Sequence, residues 1–220
     1  RIVALHNKDR NDGFTLLEAD NSYFYCNSIC EVNNEHIVEA AFPFKSSLAN
    51  ERICFIDTPG INNANESDHR KITEEAILKD NYDAVLYVSN SMYFGINDEN
   101  NLLYFLKTNV TKPILFVLNQ LDNFVPEEDS IMKMVSDYKS DLIKLGFDKP
   151  VIAPLSAYAS FLFRTDTSLL TKMERRKLKI LNEIFENEYY DLPGYIGEEQ
   201  STDKISKTGI IYLESKLITI

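Results

Sequence analysis

The chain has 220 residues, 44% of them hydrophobic and 26% charged, which is enough apolar material for the core of one α/β domain, and residues 1–220 are read as such. Lys and Arg total 23 against 34 Asp and Glu, and the net charge of −11 argues against nonspecific binding to nucleic acid or to anionic lipid. No apolar run reaches the roughly 18 residues of a membrane span, no signal-peptide pattern opens the chain, and three cysteines are too few for a disulfide framework; a cytoplasmic, reducing compartment fits.

In chain order, the first 50 residues predict extended pieces, including 22–26 and 36–42 with a turn at Asn33-Asn34. That predicts an antiparallel edge hairpin leading into a buried strand over 53–56. Cys54 lies on that strand, while Cys26 and Cys30 lack a second pair at zinc spacing, His36 being the nearest other candidate; all three read as free thiols. Helix and strand then alternate: helix near 71–79, strand 84–89, helix 98–107, strand 114–118, helix 130–145, strand 151–155. Such alternation implies right-handed crossovers and a largely parallel sheet covered by helices. The strands around 84–88 and 113–118 are continuously apolar, which places them in the middle of that sheet. A helix over about 168–188 follows, its Lys172, Arg175, Arg176, Lys177 and Lys179 forming a solvated face. The run Pro193-Gly194-Tyr195-Ile196-Gly197-Glu198-Glu199-Gln200 reads as a long loop within an insertion around 160–205, and a last helix begins after Gly209.

Three short motifs sit at the carboxyl ends of predicted strands, where open α/β sheets bind ligands. They are Asp57-Thr58-Pro59-Gly60, Asn119-Gln120-Leu121-Asp122 and Leu155-Ser156-Ala157. Asp57 is placed to hold a water of Mg²⁺, a hard cation that takes oxygen ligands and keeps several waters. Gly60, without a side chain, lets its backbone approach a γ-phosphate, and Pro59 stiffens the approach to it. Asn119 offers an amide to the O6/N7 edge of guanine, and the Asp122 carboxylate can accept from N1–H and the exocyclic amine, a donor pair that adenine lacks. Ser156-Ala157 supplies a backbone N–H near O6. Each motif alone is also an ordinary turn or helix start; their order and placement together point to a guanine-nucleotide site. No G-x-x-x-x-G-K-[ST] occurs in the chain.

Through Asp57-Thr58-Pro59-Gly60-Ile61-Asn62, Asn119-Gln120-Leu121-Asp122 and Leu155-Ser156-Ala157, the chain resembles the G domain of dynamin-superfamily large GTPases, most of all the bacterial dynamin-like proteins. The likeness covers about residues 35–160, with 209–217 similar to the closing helix; the Asn-rich segment 62–69 favours this branch. It implies a P-loop-GTPase-like three-layer sandwich with a mostly parallel central sheet and an antiparallel edge hairpin. It further implies GTP or GDP with Mg²⁺ as ligands, Asp57 for the metal, Thr58 and Gly60 at the phosphates, and Asn119, Gln120, Asp122, Ser156 and Ala157 at the base. Hydrolysis of GTP belongs to the intact protein, with self-association through the nucleotide face and membrane contact only through regions absent from this chain. Gln120 departs from the family's Lys, weakening the cover over the base. Without the phosphate loop and switch Thr, the chain as given is expected neither to hydrolyse GTP nor to bind it tightly. The alternative is a pseudo-GTPase, a protein-interaction scaffold that has lost its phosphate loop. A small GTPase acting on RNA is disfavoured by the acidic charge. His69 reads as an exposed residue at the start of a helix.

Overall fold

A computed structural model describes residues 3–9, 12–20, 22–26, 37–44, 46–60, 67–79, 81–92 and 97–220. The chain divides into two units, Arg1–Asn81 and Tyr82–Ile220.

In the first unit, short runs of aromatic and aliphatic residues form β1 (Val3–Asn7), β2 (Phe14–Glu18), β3 (Tyr23–Cys26), β4 (Ile37–Phe42) and β5 (Cys54–Asp57), followed by helix α1 (Ser67–Leu78). The sheet order is β3-β2-β4-β1-β5. Only β1 and β4 pair in parallel; β1–β5, β2–β3 and β2–β4 are antiparallel. The register puts Leu16 opposite both Phe24 and Ala40, and Leu16, Ile37 and Ala40 form the buried centre, packed by Leu5, Phe14 and Phe42. The Asn7 side chain closes the connection between β4 and β5. Its Nδ2 donates to the carbonyls of Leu48 and Ala49 (3.0 and 2.9 Å), and its Oδ1 accepts from the Phe44 N–H (2.9 Å).

The predicted hairpin is therefore re-paired. β3 turns back on β2, through a turn in which Asp20 Oδ1 accepts from the Ser22 N–H (2.9 Å) and the Glu18 N–H donates to the Ser22 carbonyl (3.1 Å). β4 lies between β2 and β1 instead of pairing with β3. Asn33-Asn34, Cys30, His36 and residues 62–66 lie outside the described residues. Cys54 is exposed, not buried, and Cys26 and Cys54 are both free thiols.

The second unit holds a three-stranded all-parallel sheet, β6 (Val85–Asn90), β7 (Ile114–Asn119) and β8 (Val151–Pro154), in that order. Its helices are α2 (Asn97–Asn109), α3 (Ile131–Lys144), α4 (Ala157–Arg164), α5 (Lys172–Ile184), α6 (Lys204–Lys207) and α7 (Ile210–Ile218). β7 is central, and Leu115, Phe116, Val117 and Leu118 are all at most 2% exposed, as a continuously apolar strand requires. Leu213 of α7 packs with Leu115, Val117, Ala153 and Leu155. β6, expected in the middle, is an outer strand of this sheet, with Val88 55% exposed. The fold is thus mixed α/β with two hydrogen-bonded sheets among the described residues, where one mostly parallel sheet was expected.

Two further segments differ from expectation. α4 is an additional helix, begun by Ser156 as N-cap. The run read as a loop after Pro193 contains a 3₁₀ helix, Leu192–Ile196, with Pro193 at its start, Leu192 and Pro193 buried, and Gly197 ending it at φ 86°. α5 is shorter than predicted because Thr171 and Glu174 form a capping box that fixes its start.

Candidate functional site

β7 and β8 run in parallel with Leu118 opposite Pro154, so Asn119–Asp122 and Leu155–Ala157 leave the same sheet edge side by side. The Leu155 N–H donates to the Leu118 carbonyl (2.8 Å) and the Leu121 N–H to the Leu155 carbonyl (3.4 Å), stitching the loops together. Leu121 is fully buried and anchors its loop in the core.

Asn119 Oδ1 accepts two backbone N–H groups, from Gln120 (2.8 Å) and from Ala157 (3.0 Å). Two donors at one end of the amide settle which atom is oxygen, and Nδ2, a donor, has no hydrogen-bond partner among the described residues. Gln120 sits at φ 69°, the left-handed conformation that turns its N–H back onto the Asn119 side chain. Asp122 is 9% exposed, and its Oδ1 accepts from the Ser156 hydroxyl (2.6 Å). The same hydroxyl oxygen accepts the Ala159 N–H (3.3 Å), so one fully buried Ser156 both caps α4 and orients the carboxylate. Asp122 Oδ2, like Asn119 Nδ2, has no hydrogen-bond partner among the described residues.

Of the two backbone N–H groups in Ser156-Ala157, that of Ser156 donates to the Thr208 carbonyl (2.9 Å). The Ala157 N–H donates to Asn119 Oδ1 (3.0 Å). Sequence reasoning also missed Thr208, whose carbonyl holds the loop. Its sequence signal is the lone Gly209 before an apolar helical run, which was read only as a helix start.

Asp57, Thr58 and Gly60 belong to the first unit. Asp57 ends β5 opposite Val3 and is exposed; Thr58 is half-buried. The loop is tied to α1, since the Thr73 hydroxyl donates to the Pro59 carbonyl (3.1 Å) and His69 Nδ1 lies 3.3 Å from the Gly60 carbonyl. A Cβ on Gly60 would meet nothing within 4 Å, so local packing does not require glycine there. Among the described residues, no group of three or more His, Cys, Asp and Glu side chains is arranged to hold a metal ion, and Asp57 offers a single carboxylate. No helix among the described residues is long and apolar enough to cross a membrane.

Two clefts lie outside this cluster. One, of about 370 Å³, is lined by Leu162, Leu178, Asn182 and Lys204 among others; the other, of about 430 Å³, runs from Phe124 along Glu127, Glu128 and Asp129 to Asp137. Neither is lined by Asn119, Asp122, Ser156 or Ala157, whose polar atoms gather at the sheet edge instead.

No family model matches the chain. Among solved structures it is similar to a protein described as an oligomerised bacterial dynamin pair that provides a mechanism for the long range sensing and tethering of membranes, at 21% identity and a TM-score of 0.48. The match covers 86% of this chain and 33% of that one, so the chain spans about a third of that protein's length.

Proposed function

We propose that the loops after β7 and β8 recognise guanine, and that the chain is the base-binding part of a dynamin-like GTPase that hydrolyses GTP to GDP and phosphate in its intact form. The observation that carries this reading is the Asn119–Asp122 pair. Each side chain is held at one end by hydrogen bonds from the neighbouring Ser156-Ala157 loop, while Nδ2 of one and Oδ2 of the other are left without partners among the described residues. Guanine offers the complement, acceptors at N7 and O6 and donors at N1 and the exocyclic amine. Asp122 accepts the donor pair, and Asn119 Nδ2 serves the acceptor edge. A buried carboxylate left unpaired by the wrong base costs about 1–3 kcal/mol or more, which is the source of selectivity.

Within the same proposal, Asp57, Thr58 and Gly60 serve the phosphate end. Asp57 would hold Mg²⁺ through one of the ion's waters, fitting a cation that keeps several of them; bound there, Mg²⁺ would neutralise charge developing on the transferred phosphoryl group. The sandwich architecture, a single domain over 1–220 with an insertion around 160–205, self-association through the nucleotide face and a cytoplasmic setting complete the reading.

The test is titration of the 220-residue chain with guanosine, inosine and adenosine, following backbone amides by NMR. Guanosine is expected to shift the signals of Asn119, Asp122 and Ala157 and to bind more tightly than inosine, which lacks the amine, and than adenosine. Equal, diffuse responses to all three nucleosides would overturn the assignment.

A further inference from the structure

Gly209 lies between α6 and α7 at φ 84°, a conformation that L side chains rarely adopt, and a Cβ there would run into the Pro154 carbonyl oxygen, closer than any Cβ can approach. This close approach brings the preceding Thr208, fully buried, against the start of the Ser156 loop, where its carbonyl accepts the Ser156 N–H at 2.9 Å. Thr208 is itself held by its hydroxyl, which donates to the Ile205 carbonyl (2.6 Å). The far end of α4 is tied to the same C-terminal segment. Arg164, its last residue, donates from Nη1 and Nη2 to Glu214 Oε1 and Oε2 of α7 (2.5 and 3.2 Å), and Glu214 is only 4% exposed. A bidentate pair of this kind fixes angle as well as distance.

We propose that Thr208, Gly209 and the Arg164–Glu214 pair are positioning elements for base selection, so that the seating of α7 sets the geometry of Asp122 and Asn119. The chain of contacts is short. Gly209 seats Thr208, Thr208 fixes the Ser156 backbone, the Ser156 hydroxyl fixes Asp122 Oδ1, and the next residue's N–H fixes Asn119 Oδ1. α4 starts at that loop and ends at Arg164, so the ion pair resists the rotation of α4 that would withdraw both contacts. None of these C-terminal groups needs to touch a ligand. A partner or adjoining segment that shifts α7 would alter base recognition without entering the site, which gives α7 a role as a coupling element. The selectivity part of this inference rests on the guanine reading above; the positional part does not.

The test uses the full chain in two variants, Gly209→Ala and Glu214→Gln, the second keeping side-chain shape while removing the charge pair. Two readouts are taken beside thermal stability, namely the ratio of guanosine to inosine affinity and the amide hydrogen exchange of Ser156 and Ala157 without ligand. The expected result is a loss of about tenfold in guanosine affinity with a smaller loss for inosine, the ratio falling toward one. Exchange at Ser156 and Ala157 should accelerate about tenfold while that of Leu118 in β7 stays unchanged. If Gly209→Ala does not fold, Glu214→Gln decides. Should the parent chain show no preference for guanosine, the guanine reading fails by itself and the exchange data still judge the positioning claim. Lower stability with unchanged exchange at Ser156 and Ala157 would overturn it.

Discussion

At the scale of single residues, the proposed guanine recognition turns on the Asp122 carboxylate, which would meet the donor pair and is held by a single hydroxyl at 2.6 Å. Asp122→Asn keeps the shape but puts an N–H where guanine also presents hydrogens. Xanthine carries a carbonyl in place of the amine, so the amide can accept from N1–H and donate to that carbonyl. The Ser156 hydroxyl can rotate to serve either side chain. The variant is expected to lose guanosine affinity by about ten- to a hundredfold and to prefer xanthosine, checked by competition between the two nucleosides. The placement of Asn119 and Asp122 at the end of β7 was readable in the sequence because the apolar run before them marks the strand. The role of Ser156 was not, since a serine after a strand looks the same whether its N–H faces a ligand or, as here, the Thr208 carbonyl.

At the scale of elements, α4 and α5 begin with side-chain caps of the same kind, Ser156 accepting the Ala159 N–H and Thr171 accepting the Glu174 N–H. Ser156→Ala and Thr171→Ala should each cost about 1 kcal/mol of stability, measured by urea unfolding. Only Ser156→Ala should also weaken guanosine, because only that cap holds the Asp122 carboxylate; a parallel loss in Thr171→Ala would show that helix stability, not carboxylate orientation, governs binding. The elements themselves were largely legible. The apolar run ending in Leu118 predicted a strand buried on both faces, and that strand is β7, the centre of its sheet. Partners were harder to read. Residues 22–26 and 36–42 both read as extended, yet β3 pairs with β2 through the Asp20 turn and β4 fits between β2 and β1, a choice made by long-range packing around Leu16. The 3₁₀ helix at Leu192–Ile196 was hidden for a related reason: Pro and Gly usually mark a loop, whereas burial of Leu192 and Pro193, the Ser201 N–H bond to Asp191 (2.8 Å) and the Tyr195 hydroxyl's bond to the Tyr189 carbonyl (2.8 Å) hold it in place.

At the scale of the whole molecule, groups in different parts of the second unit make stability depend on pH. At the acid end, Asp203 caps α6 and is held below the usual carboxylate range by the side-chain and backbone hydrogen bonds of Ser206; its stabilisation is present above the ordinary carboxylate pKa and fades as pH falls through the lowered value. At the alkaline end the sign reverses. Burial pushes the Tyr138 phenol well above its ordinary value, against the lowering effect of its hydrogen bond to Ser89 (2.9 Å), and pushes Tyr195 up to about 12. A raised phenol pKa means that the unfolded chain releases protons first, so the contribution is complete below about pH 10 and is lost as pH climbs toward the folded values. Between those limits the fully buried Tyr138 should cost about 1.4 kcal/mol of stability per pH unit. Tyr138→Phe removes that titration together with one hydrogen bond of the Ser89 hydroxyl, which is 1% exposed and also faces the Tyr87 phenol, at a cost of about 1 kcal/mol at neutral pH. Urea unfolding at several values between pH 9 and 11 should therefore show the variant less stable at pH 9 but with a shallower decline, the difference in slope growing toward about one proton near pH 11. Parallel curves for the two proteins would mean that Tyr138 ionises as readily in the folded chain as in the unfolded one.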